Sequence, residues 1–131
     1  MFKITPIQST QDAEKFASSC GAVIKDGCFV YAMTDCESGE IMGLSQFEIL
    51  DGYGYIYDVK EAADKNDFEA MFILGRQTMN FIDLCGISVC RADLNAGDES
   101  LLKAIGFKMS DGFYECSTQG MFDGSHCQGH R

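Results

Sequence analysis

A single proline, Pro6, and no run of serine or glycine interrupt the 131 residues, so the sequence offers no linker and reads as one domain over 1–131. Basic residues are scarce: 10 lysines and arginines stand against 20 acids, for a formal net charge of -10. They are scattered from Lys3 to Arg131, which argues against the clustered positive face that displaces counterions from phosphates. An acidic surface also repels an anionic membrane. No nucleic-acid partner and no membrane partner is therefore expected. No apolar stretch with a cleavage site follows Met1. None of the seven cysteines (Cys20, Cys28, Cys36, Cys85, Cys90, Cys116, Cys127) stands in a C-x-x-C pair. A cytoplasmic protein with reduced thiols is the expectation. What is present suits a globular domain. With 46% apolar residues, a chain of this size buries roughly two-thirds of its unfolded surface.

The pattern along the chain alternates between strand and helix. Phe2–Thr5 reads as a strand, and Ser9 or Thr10 caps a helix through about Ser19 that stops at Gly21. Cys28–Thr34, Ile41–Leu50 and Tyr53–Val59 read as three strands joined by short turns, an antiparallel meander. Phe68–Leu84 is the strongest helix. Its polar residues Glu69, Arg76, Gln77, Asn80 and Asp83 form one stripe, and the surplus apolar surface calls for a second cover, with a homodimer partner among the candidates. Ile87–Leu94 reads as a strand, Asp98–Ile105 as a short helix closed by Gly106, and Phe113–Ser117 as a last strand before a tail from about residue 120. This order predicts an α+β fold, an α/β mixed sheet whose unit from Tyr53 to Leu94 places two parallel strands around the long helix.

Candidate functional residues each carry a plain alternative. Tyr53, Tyr55 and Tyr57 share one strand face at period two, where they line a ligand cleft or pack under a loop or partner. Glu48 and Asp58 are carboxylates on neighbouring strands. A raised pKa would make either a base, while simple alternation makes each an outward polar residue. Asn66 and Glu69 have the spacing of a capping box, in which each side chain takes the other's backbone N–H. Arg76 could reach a ligand, but the commoner expectation is a pair within the solvent stripe, with Asn80 or Asp83. Cys85 and Cys90 look like core. The spacing of Cys116, His126, Cys127 and His130 matches no zinc pattern, and no metal is expected.

The element order resembles that of the GNAT superfamily, the acyl-CoA-dependent N-acyltransferases. Two local features strengthen the likeness: Asn95 followed eleven residues later by Gly106-Phe107, and the strand Tyr53–Val59 running into the long helix. The resemblance implies an acetyl-CoA-dependent N-acetyltransferase acting on a small amine. It places acetyl-CoA on backbone amides of Tyr57 and Val59 and of the long-helix start at Lys65 and Asn66, with Asn95 near the thiol. It nominates Glu48 and Asp58 for amine deprotonation, while the period-two tyrosine face offers Tyr53 and Tyr55 for the substrate side. The acidic surface would suit a cationic acceptor. Where the family carries a glycine-rich pyrophosphate loop, this sequence has Asp64-Lys65-Asn66-Asp67-Phe68-Glu69, with three carboxylates and no glycine. Leu102 stands where the family often places a proton-donating tyrosine. The alternative function is a catalytically inactive protein on the same fold, serving as a ligand-binding or dimeric interaction module.

Overall fold

The computed structural model describes residues 1–119 together with Met121 and Phe122. Most of the tail, including His126, Cys127 and His130, lies outside the described residues. Strand β1 (Phe2–Pro6) leads into helix α1 (Thr10–Cys20). Strands β2 (Phe29–Asp35), β3 (Ile41–Leu50) and β4 (Tyr53–Glu61) follow, then helix α2 (Phe68–Leu84). Strand β5 (Val89–Ala92), helix α3 (Glu99–Ile105) and strands β6 (Lys108–Ser110) and β7 (Phe113–Ser117) complete the elements among the described residues. The seven strands form one sheet in the order β1-β2-β3-β4-β5-β7-β6. Among the described residues, only β4 and β5 pair in parallel, as the crossover through α2 requires.

Helix α2 packs on one sheet face through Met71, Leu74, Met79 and Ile82, which meet Phe47, Ile56 and the α3 residues Leu101, Leu102 and Ile105. Gly75 makes room for α3, since a Cβ there would lie 2.3 Å from the Ile105 Cδ1. Thus α3 supplies part of the second cover that α2 demands, while Phe68, Ile73 and Leu84 stay exposed. Helix α1 covers the opposite face, packing Ala13, Ala17 and Cys20 on Val30, Leu44 and Ala62. Strand β3 lies between the two helices and is buried on both faces from Met42 to Phe47.

Several details depart from the sequence expectations. Helix α2 is capped by Asp67, whose Oδ1 accepts from the Ala70 N–H at 3.0 Å, and not by an Asn66–Glu69 box. The Asp67 N–H goes instead to the carboxylate of Glu61. Arg76 joins no solvent-stripe pair. Its Nε donates to the Ile105 carbonyl at 2.9 Å and its guanidinium stacks on Phe72, clamping α2 to α3. Cys85 is exposed at the end of α2, whereas Cys90 is buried and its thiol pushed up by desolvation. Strand β6 pairs with β7 across a turn at Asp111-Gly112, a strand too short and too polar to stand out in the sequence. Strand β5 stops at Ala92 because the Asp93 carboxylate accepts the Asn95 N–H at 3.0 Å and turns the chain out of the sheet.

Candidate active site

The site is built by a bulge. Strand β4 pairs Ile56 with Phe47 and then Asp58 with Gln46, which leaves Tyr57 without a partner on β3. The extra residue turns both Tyr57 and Asp58 to the face away from α2. There the Tyr57 hydroxyl donates to Glu48 Oε1 at 2.8 Å and Gln46 Nε2 donates to Asp58 Oδ2 at 2.8 Å. Past Ile56, β4 also parts from β5. Their pairing covers only Gly54–Ile56 with Cys90–Ala92, and the segment after β5 moves in beside β4. The Asp93 N–H donates to the Ile56 carbonyl at 3.0 Å, and the Val59 N–H donates to the Ala96 carbonyl at 2.7 Å.

Two cavities open on the parted strands. The larger, of about 470 Å³, is bounded by Val59, Lys60, Glu61, Lys65, Asn95 and Gly97 among others. The smaller, of about 330 Å³, is bounded by Lys25, Tyr57, Asp58, Lys60, Asp93 and Asn95 with the start of the α1–β2 loop. Lys60 and Asn95 border both, so the two cavities adjoin at these residues, one on the α2 side and one on the Tyr57 side.

Each predicted site residue has a definite place. Asp58 is 6% exposed and holds Gln46 and the Lys60 Nζ, at 2.9 Å, on its two oxygens. Glu48 is engaged by Tyr57. That hydrogen bond, with burial second, pushes the Tyr57 phenol up to about 12. Both nominated bases are therefore already hydrogen-bonded within the protein. The Tyr55 ring lies 4.9 Å from that of Tyr57, tilted by 57°, and its hydroxyl donates to Asp93 Oδ1 at 3.3 Å. Tyr53 lies outside the two cavities, with its ring 4.4 Å from the Arg91 guanidinium. Asn95 is exposed at the junction, and Val59 keeps its side chain in the core. The Lys65 N–H goes to Ala62, and its ammonium to Glu40 Oε1 at 2.7 Å. Asn66 is exposed, one residue before the cap. Leu102 is fully buried.

The sequence reasoning missed Gln46, Lys25, Lys60, Glu61 and Asp93. Gln46 is fully buried, and its Oε1 accepts the Lys25 N–H at 2.7 Å while its Nε2 reaches the Val23 carbonyl at 3.0 Å. It thereby fixes the loop that walls the smaller cavity. A glutamine inside the apolar run Ile41–Leu50 was the available signal, since buried amides need partners. Cys20 borders the larger cavity, but burial pushes its thiol up to about 11, so it is no nucleophile at neutral pH.

The residues fit acetyl-CoA in one part and not in another. The larger cavity, of about 470 Å³, has the size of a small-molecule site. The α2 end does not fit a pyrophosphate. Its Asp67 and Ala70 N–H groups are taken by Glu61 and Asp67, and four carboxylates (Glu61, Asp64, Asp67, Glu69) stand within nine residues.

At the level of sequence, no family model and no curated protein matches the chain. Solved structures do. The ribosomal-protein-S18-alanine N-acetyltransferase from Escherichia coli superposes with a TM-score of 0.69 at 11% identity, over 89% of this chain and 94% of that one. A GNAT family acetyltransferase from Brucella melitensis in complex with acetyl-CoA gives 0.66 at 13% identity, over 89% and 88%. One from Elizabethkingia anophelis with acetyl-CoA bound gives 0.60 at 13% identity, over 84% and 78%. The chain has the GNAT superfamily fold. Among the described residues, no helix is long and apolar enough to cross a membrane.

Proposed function

We propose that the chain is an N-acyltransferase that moves an acyl group, acetyl in the simplest case, from a thioester to a small amine. The observation that carries this reading is the pair of adjoining cavities on the parted strands, which share Lys60 and Asn95. A thioester entering along Val59–Glu61 and an amine entering beside Tyr57 would come together there. When bound, the thioester supplies the carbonyl carbon that the amine attacks; the C–N bond forms, the C–S bond breaks, and the amine proton ends on the thiol. The chain's contribution is chiefly placement, which by itself lowers such barriers substantially. The Glu48–Tyr57 and Asp58–Lys60 pairs brace the wall of the smaller cavity, whose two acids, Asp58 and Asp93, are matched by Lys25 and Lys60. The test is incubation with acetyl-CoA, or with S-acetyl-pantetheine, and a panel of small amines, followed by release of free thiol. Amine-dependent thiol release supports transfer, and none with either donor sinks it.

A second reading, a ligand-binding protein without transfer, is favoured by one observation. The carboxylates Glu48 and Asp58 are both occupied by internal partners, so neither is free to take the amine proton. Amine binding in the smaller cavity without thiol release would select it.

A further inference from the structure

We infer that the acyl donor is recognised through its pantetheine arm alone, and that the entrance at α2 selects against a donor carrying a pyrophosphate. This rests on the transfer reading and specifies its donor. A helix start attracts an anion through free N–H groups and its dipole. Here the chain supplies its own anions. Glu61 takes the Asp67 N–H, Asp67 takes the Ala70 N–H, and Asp64 and Glu69 add two more negative charges beside them. The two lysines of the larger cavity do not offset this. Lys60 is held by Asp58, and Lys65 by Glu40, with Asp64 Oδ2 3.8 Å away. A pyrophosphate at this entrance would meet like charges, with the Asp67 and Ala70 N–H groups already engaged by carboxylates. An uncharged pantetheine thioester meets the other part of the cleft, walled by Val59, Lys60, Asn95 and Gly97.

The test is calorimetric titration of the whole chain with S-acetyl-pantetheine and with acetyl-CoA, at low and at high salt. S-acetyl-pantetheine should bind at least as tightly as acetyl-CoA. Acetyl-CoA binding should tighten as salt screens the repulsion, by about threefold, while S-acetyl-pantetheine stays unchanged. A Glu61→Gln/Asp64→Asn/Asp67→Asn variant, which keeps an oxygen acceptor at each position, should bind acetyl-CoA about tenfold more tightly and leave S-acetyl-pantetheine unchanged. If acetyl-CoA binds wild type about tenfold more tightly than S-acetyl-pantetheine and weakens with salt, a pyrophosphate is held after all. The inference then falls while transfer stands. If neither donor binds, the inference falls together with the transfer reading.

Discussion

Gln46 and Asp58 face each other across β3 and β4, and the amide of one donates to the carboxylate of the other at 2.8 Å inside a buried layer. The same amide also holds the Lys25 N–H and the Val23 carbonyl. One side chain therefore ties the α1–β2 loop to the bulged strand and so sets the shape of the smaller cavity.

Replacing Gln46 with leucine would leave one Asp58 oxygen and two backbone groups without their partner. Each orphaned buried group costs about 1–3 kcal/mol, so Gln46→Leu should lose at least ~2 kcal/mol in urea unfolding. A loss below about 0.5 kcal/mol, the range of ordinary surface substitutions, would refute this account of the loop.

The two readings of the α2 cap separate cleanly. Asp67→Ala removes the observed cap and should cost about 1 kcal/mol, whereas Asn66→Ala should cost nothing measurable. Thermal unfolding of both variants decides the matter. The reverse order would restore the cap expected from the Asn66–Glu69 spacing.

Gly97 lies against β4, and a Cβ there would meet the Val59 carbonyl oxygen at 2.8 Å. Gly97→Ala should push the segment after β5 away from β4, strain the Val59–Ala96 hydrogen bond and cost about 1–3 kcal/mol. Hydrogen exchange at the Val59 amide should quicken in this variant. Unchanged exchange would mean that the segment is not held as described.

Tyr57 should titrate late. Its hydrogen bond to Glu48, with burial, raises the phenol from about 10 to about 12. The folded pKa exceeds the unfolded one, so this group's stabilisation is complete below about pH 10 and is lost as pH rises through about 12. Glu48→Gln should bring the ionisation back toward the ordinary tyrosine value, read as the difference between spectra with and without Tyr57→Phe. An unchanged titration would remove Glu48 as the cause.

Much of the fold was legible because its signals are local. Ser9 caps α1 as its position suggested, Gly21 stops it in the left-handed region, and the apolar circumference of Phe68–Leu84 identified a helix buried on more than one side. The parallel pairing of β4 with β5 followed from the long helix between them. The site was less legible because it depends on departures from regularity. Strict period-two counting puts Tyr57 and Asp58 on opposite faces, and only the bulge brings them together. The shift of the cap from Asn66 to Asp67 reflects a distant carboxylate, Glu61, which occupies the Asp67 N–H. Arg76 escaped for the same reason: its partner is the Ile105 carbonyl, 29 positions away in the chain.

The most direct test of a donor seated between β4 and the segment after β5 is an amide NMR titration with S-acetyl-pantetheine. Shifts should appear at Val59, Lys60, Asn95 and Gly97, which border the larger cavity, with little change at the capped α2 start from Asp67 to Ala70. Shifts confined to other surfaces, or none at saturating ligand, would contradict a donor site in this cleft.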